Sequence, residues 1–305
     1  MSKATRIRQQ NAREKIKAQQ AAARRAEVRK RTLIVAGSIV VVLAIVVAFV
    51  AIGLNHNNKP SGGSASSTTG TVLPASVHKD ITTVPASALD KVGVGSVPSF
   101  MAASEGGQPP IGAISDKALT SNGKPEMLYI GAEYCPYCAA MRWSMAVALS
   151  RFGAFTTPLR GIHSSSTDTD PNTPTLTFYQ SSYSSPYLTF TPVENETISK
   201  TPLQNTTAAQ QALWQKYDSS ASGVGYPFIS FGNKYVIKTP TYDPGVLAGM
   251  SWAQVATALH NPNSPVAQGA LGTANLITAA ICKMTNGQPG SVCTAPGVVT
   301  ASKSL

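Results

Sequence analysis

The sequence predicts an α/β protein carried behind a single N-terminal transmembrane helix. Three observations predict it. The apolar run Met127–Ile130 leads into Cys135-Pro136-Tyr137-Cys138 and then into a helical repeat, the order of a buried strand, a turn and a helix. Tyr226-Pro227 opens two short apolar segments joined by Gly232-Asn233, a hairpin signal. Leu33 to Leu54 is 22 residues without a charge, about 33 Å as a helix and enough to cross a bilayer.

The net charge of +11 over 305 residues resembles a nucleic-acid signal until it is located. Residues 1–31 hold eleven Lys and Arg against Glu14 and Glu27. The remaining 14 basic and 12 acidic residues nearly cancel. The basicity therefore belongs to a tail, and nucleic acid is not an expected partner. Residues 1–31 read as a cytoplasmic basic tail and 32–54 as the transmembrane helix. A cleaved signal peptide fits less well, because the basic region is too long and no small-x-small site follows. The Lys/Arg excess before the span places the N-terminus in the cytoplasm and the rest outside.

Residues 55–105 read as a flexible tether and lead-in, with Val77–Val84 and Ser87–Val94 as weak strand or helix candidates. Residues 106–305 form the extracytoplasmic domain. Met141, Met145 and Leu149 recur every four residues after Cys138, which predicts a helix to about Phe152 stopped at Gly153. Pro158–His163 is a strand. Thr175–Gln180 and Tyr187–Thr191 alternate Thr with bulky residues, as two antiparallel strands of an inserted β-hairpin would. Thr206 or Thr207 caps a helix running to about Asp218. Ser251 caps another through about His260, and Ser264 with Pro265 opens a third that reaches Cys282. The segment Lys283–Cys293 reads as a Gly/Pro-rich loop.

The four cysteines fall in two close pairs, Cys135/Cys138 and Cys282/Cys293, a usage that suits an oxidising compartment. Two thiols at the first turn of a helix can reach disulfide geometry while the first faces solvent. The helix N-terminus favours the thiolate of Cys135, whose pKa is expected below the free value of about 8.5, with that of the buried Cys138 raised. Pro136 suits the first helical turn. A zinc site is the rival reading of a lone CxxC, but no second CxxC or paired His follows at ligand spacing, so neither metal nor other cofactor is expected. His56, His78, His163 and His260 are scattered.

The succession strand, CxxC, helix, strand, inserted material, helix, X-Pro hairpin, helix resembles the thioredoxin-like superfamily, which implies a central mixed sheet flanked by helices, here with an inserted β-hairpin and a C-terminal helical extension. Gly131-Ala132-Glu133-Tyr134-Cys135 is similar to the lead-in of thioredoxins, and Pro136-Tyr137 to the dipeptide of glutaredoxins. Tyr226-Pro227 resembles that superfamily's cis-proline, which implies a cis bond beside the redox pair and a role for Pro227 in setting a substrate groove. The stretch from about Gly106 to the C-terminus also resembles the uncharacterised, membrane-anchored family called domain of unknown function nine-two-nine. The local echoes are Gly-Ala-Glu-Tyr-Cys-Pro-Tyr-Cys, Tyr-Pro-Phe-Ile and the Ala274-Asn275…Ile281-Cys282…Gln288-Pro289…Val292-Cys293 tail.

Two departures stand out. The acid that many thioredoxins carry six residues before the first cysteine is Tyr129 here, so Glu133 is either the substitute proton route or an exposed structural carboxylate. Tyr226 replaces a smaller residue, which reshapes the groove. Cys282 and Cys293 read as a structural disulfide that closes the C-terminal loop, with a relay pair as the alternative. Asn195-Glu196-Thr197 and Asn205-Thr206-Thr207 match the glycosylation pattern.

Two functions of different class follow. One is a membrane-tethered thiol–disulfide oxidoreductase acting on exported proteins, with a membrane redox partner as a further candidate. Cys135 attacks, Cys138 resolves, Pro227 sets the groove, and Glu133, Pro136, Tyr137 and Tyr226 support them. The other is a binding or scaffold domain in which CPYC is a permanent bridge.

Overall fold

The computed structural model describes residues 70–97, 111–220 and 223–305. The basic tail, the predicted span Leu33–Leu54, His56 and the tether up to residue 69 lie outside the described residues. Among the described residues no helix is long and apolar enough to cross a membrane.

In chain order the elements begin with β1 (Thr71–Val72), α1 (Ala75–Thr82), α2 (Ala86–Val92), β2 (Gly112–Ala113), β3 (Thr120–Ser121), β4 (Lys124–Gly131) and α3 (Pro136–Leu149). Next come β5 (Ala154–Phe155), β6 (Arg160–His163), β7 (Pro174–Thr177), β8 (Tyr183–Ser184), β9 (Thr189–Glu194), α4 (Ala208–Asp218), β10 (Ser219–Ser220) and β11 (Gly223–Val224). The chain continues with β12 (Phe228–Phe231), β13 (Tyr235–Ile237), α5 (Trp252–Leu259), α6 (Pro265–Met284), α7 (Gly290–Cys293) and α8 (Pro296–Ala301), with short 3-10 turns at Pro244–Leu247 and Ser302–Ser304.

The central sheet is mixed. β4 runs parallel to β9 on one side, and on the other it pairs antiparallel with β12, which folds back on β13 and then β2. Both faces of β4 are covered, and its side chains alternate between two cores, as the two-residue period of a strand requires. Met127 and Tyr129 join the large core that includes α3 and α6, while Leu128 and Ile130 meet Val193, Trp214, Phe228 and Val236 on the α4 side. Helix α3 is buried on nearly every side, Tyr137 excepted, which is why its apolar residues show no single stripe.

The inserted hairpin is a correction. β7 pairs antiparallel with β6 in a separate sheet, and β9 takes the parallel edge of β4. Alternating residues specify a strand but not its partner. Phe190 and Val193 face opposite cores, the two cores that cover the faces of the central sheet. The predicted lead-in also does more than lead in. Val77, Ile81, Ala88, Leu89 and Val92 of α1 and α2 lie in the main core, and Asn275 Nδ2 of α6 donates to the Leu89 and Gly93 carbonyls. The Lys283–Cys293 segment ends in the helical turn α7 instead of continuing as loop.

Candidate functional site

β4 ends at Gly131, four residues before the first thiol, and α3 starts one residue after it. Cys135 is the N-cap, and its Sγ accepts from the Cys138 backbone N–H at 3.3 Å. Pro136 sits at the first helical position, where a missing N–H costs nothing. The Cys135 thiol donates to the Tyr226 carbonyl at 3.9 Å. The Tyr226–Pro227 bond is cis, as the resemblance implied. Pro227 thus stands where β12 begins, beside the end of β4, with Phe228 registered against Ile130.

Cys135 is not the exposed thiol expected. It is 4 % exposed and Cys138 is 0 %, because Tyr134, Tyr137 and Tyr226 pack over the pair. The roof is itself tied down. Tyr226 meets Tyr134 edge-on and lies against Trp214, its hydroxyl accepts from Asn195 Nδ2 at 2.7 Å, and it donates to Glu196 at 3.2 Å. Lys200 Nζ lies 4.7 Å from the Tyr134 ring centroid, and the Tyr137 and Thr169 hydroxyls share a hydrogen bond at 3.3 Å. Asn195, one of the two glycosylation-pattern asparagines, therefore has its amide engaged in this roof.

Beneath the pair lies a polar cluster that no periodicity announced. Arg142, four residues after Cys138 and fully buried, forms a two-pronged ion pair with the fully buried Glu194 at the end of β9, with Nε–Oε1 at 2.9 Å and Nη2–Oε2 at 2.7 Å. Arg142 Nη2 also donates to the Ala132 carbonyl at 2.7 Å, while Nη1 has no partner. The Phe178 N–H donates to Glu194 Oε1 at 3.1 Å. Tyr129, in the position where an acid was missing, is 0 % exposed. Its hydroxyl lies near the Cys138 sulfur without meeting hydrogen-bond geometry.

The electrostatics reverse the expected order of the thiols. Burial pushes the Cys135 thiol well up. Burial acts on Cys138 the same way, but the neighbouring Cys135 side chain and the Arg142 charge outweigh it and hold Cys138 below the usual thiol range. The roof keeps water from the first sulfur, and the second has a buried cation one helical turn away. Glu133 is not the exposed carboxylate of the structural alternative. It is fully buried, Thr177 Oγ1 donates to its Oε1 at 2.7 Å, Oε2 has no partner, and burial raises its pKa to about 7.

Cys282 and Cys293 are bridged. They lie at the opposite end of the sheet. The Gly232 turn after β12 faces Met284, and Phe231 is registered against Met127, whereas the dithiol lies beyond Ile130. At least about 13 Å of strand separates the two pairs. His78, His163 and His260 are dispersed, with His163 against Trp252 and His260 bonded to the Asp80 carbonyl. Among the described residues no group of three or more His, Cys, Asp or Glu is arranged to hold a metal ion.

Sequence reasoning missed Arg142 and Glu194. The available signal was a lone charge in the otherwise uncharged stretch from Pro136 to Leu149.

Fold and site together define a mixed α/β protein that carries a vicinal pair of thiols at a buried helix start. Residues 111–283, more than half of the chain, match the family model described as Domain of unknown function (DUF929), and the chain belongs to that family. No curated protein and no solved structure matches it.

Proposed function

We propose that the protein is a membrane-tethered thiol–disulfide oxidoreductase of thioredoxin-like architecture, working outside the cytoplasm on exported proteins. The observation that carries this reading is the Tyr226 carbonyl 3.9 Å from Cys135 Sγ, at the start of a helix that offers its N–H groups to that sulfur. The placement of β9 and the β12–β13 hairpin on either side of β4 supports the thioredoxin-like part.

In the reaction Cys135 passes its proton to Cys138 and attacks a substrate disulfide, expelling one substrate thiolate. Cys138, deprotonated in turn by the departing thiolate, attacks the Cys135 sulfur of the mixed disulfide and releases the second substrate sulfur as a thiolate, which takes a proton from water. The substrate disulfide is reduced and CPYC is oxidised, and the same steps in reverse oxidise a substrate dithiol. A membrane redox partner would reset the pair.

The 4 % exposure of Cys135 favours the second reading, a scaffold domain with CPYC as a permanent bridge. Insulin reduction and scrambled-ribonuclease refolding by the purified protein separate the two, since turnover in either supports the oxidoreductase. No turnover, with a CPYC bridge that resists dithiothreitol in the folded protein, leaves the scaffold. Protease added to spheroplasts tests the topology: digestion of residues 106–305 is expected, and protection overturns the extracytoplasmic placement.

A further inference from the structure

A charge in the centre of a core needs a reason. Arg142 and Glu194 are both 0 % exposed, and a buried ion pair is often replaceable by apolar residues of similar volume at no loss of stability. A purely structural part therefore gives little cause for this pair. Its position gives one. Arg142 follows Cys138 by four residues on α3, so both side chains share one face of the helix. The guanidinium carbon also lies 5.9 Å from the centroid of the Tyr129 ring, whose hydroxyl is next to the Cys138 sulfur. Glu194 holds the guanidinium through two parallel bonds, and the Ala132 carbonyl fixes its edge. Two N–H groups on Nη1 remain without an acceptor.

We propose that Arg142, clamped by Glu194, is a positioning residue that holds negative charge on Cys138 while it resolves the mixed disulfide. The inference rests on the oxidoreductase reading above. In that step Cys138, its proton already taken by the first substrate thiolate, attacks as a thiolate: the Cys138–Cys135 bond forms, and the bond between Cys135 and the second substrate sulfur breaks to release that sulfur as a thiolate. The sulfur that must carry charge is fully buried, and water cannot stabilise it. The groups facing it are Cys135, Tyr129 from β4, Glu194 from β9 and Arg142. Only Arg142 among them is a cation. The depressed Cys138 pKa agrees with this geometry.

The test uses the full-length protein in detergent, with glutathione disulfide as the probe. After mixing, samples are quenched with an alkylating agent and the Cys135–glutathione adduct is followed by intact mass. The neutral pair Arg142→Met/Glu194→Gln is expected to prolong the adduct about tenfold, the equivalent of one pKa unit at Cys138. It is also expected to raise the oxidised fraction in a glutathione buffer, because the reduced form loses its stabilised thiolate. Arg142→Lys, which keeps the charge, is expected to stay near the native lifetime. If the neutral pair does not fold, Glu194→Gln alone removes the countercharge and should shorten the adduct's life. A native lifetime in the folded neutral pair, or a longer one in Glu194→Gln, overturns the inference while leaving the oxidoreductase reading intact. Absence of any adduct in the native protein, with no insulin reduction, overturns both.

Discussion

The carbonyl oxygen of Tyr226 and the sulfur of Cys135 face each other at 3.9 Å across the junction of β12 and α3. Residues 91 apart in sequence meet because β12 lies antiparallel on β4 and starts where β4 ends.

With Cys135 as the attacking sulfur, Cys138→Ser should accumulate mixed disulfides with exported proteins, visible as adducts on non-reducing gels that vanish with dithiothreitol. Cys135→Ser should accumulate none. Equal trapping by both variants would show that the two sulfurs are not ordered.

The three tyrosines account for the burial of Cys135. Tyr226→Ala removes the ring that touches both Tyr134 and Trp214, and should raise the rate of Cys135 alkylation by iodoacetamide several-fold. Tyr226→Phe keeps the ring while losing the contacts to Asn195 and Glu196, and should stay close to native. Identical rates in all three proteins would show that the thiol is shielded by something other than this ring.

Much of the frame was legible because its signals are local. Pro136 at a helix start, the Gly232-Asn233 turn, and the Thr207 and Ser251 caps with Gln210 and Gln254 three residues on each fix an element within a few residues. Partner choice was not local. Tyr187–Thr191 read as half of a hairpin because alternation is blind to which strand lies alongside. The site divided the same way. The meeting of Cys135, Cys138 and Pro227 was readable from motif and order. The exposure of Cys135 was misjudged because its cover comes partly from Tyr226, 91 residues away. Arg142 was passed over because its partner, Glu194, is 52 residues distant.

The Cys282–Cys293 bridge closes a loop with a sequence separation of 11, for which chain-entropy arguments give about 3 kcal/mol of stabilisation. Its distance from the dithiol forbids direct exchange, since sulfur must touch sulfur. Cys282→Ser/Cys293→Ser should lower the melting temperature by several degrees and leave insulin reduction close to native. Lost activity in a variant that still melts cooperatively near the native temperature would restore the relay role.

Glu133 gives the fold a pH dependence of definite sign. Burial raises its pKa from 4.5 to about 7, so between those values the unfolded chain holds fewer protons than the folded one. Stability contributed by the neutral carboxyl is complete below about pH 4 and is lost as pH rises through 7. A shift of this size is worth roughly 3 kcal/mol once the folded group is ionised. The carboxyl is fully buried, so solvent does not screen that cost away. Glu133→Gln keeps an oxygen for the Thr177 hydroxyl and cannot ionise. Its unfolding free energy, from urea titrations at pH 5 and pH 8, should fall less over that interval than the native protein's, the difference approaching 3 kcal/mol. Parallel profiles for the two proteins would mean that Glu133 ionises inside the fold without penalty.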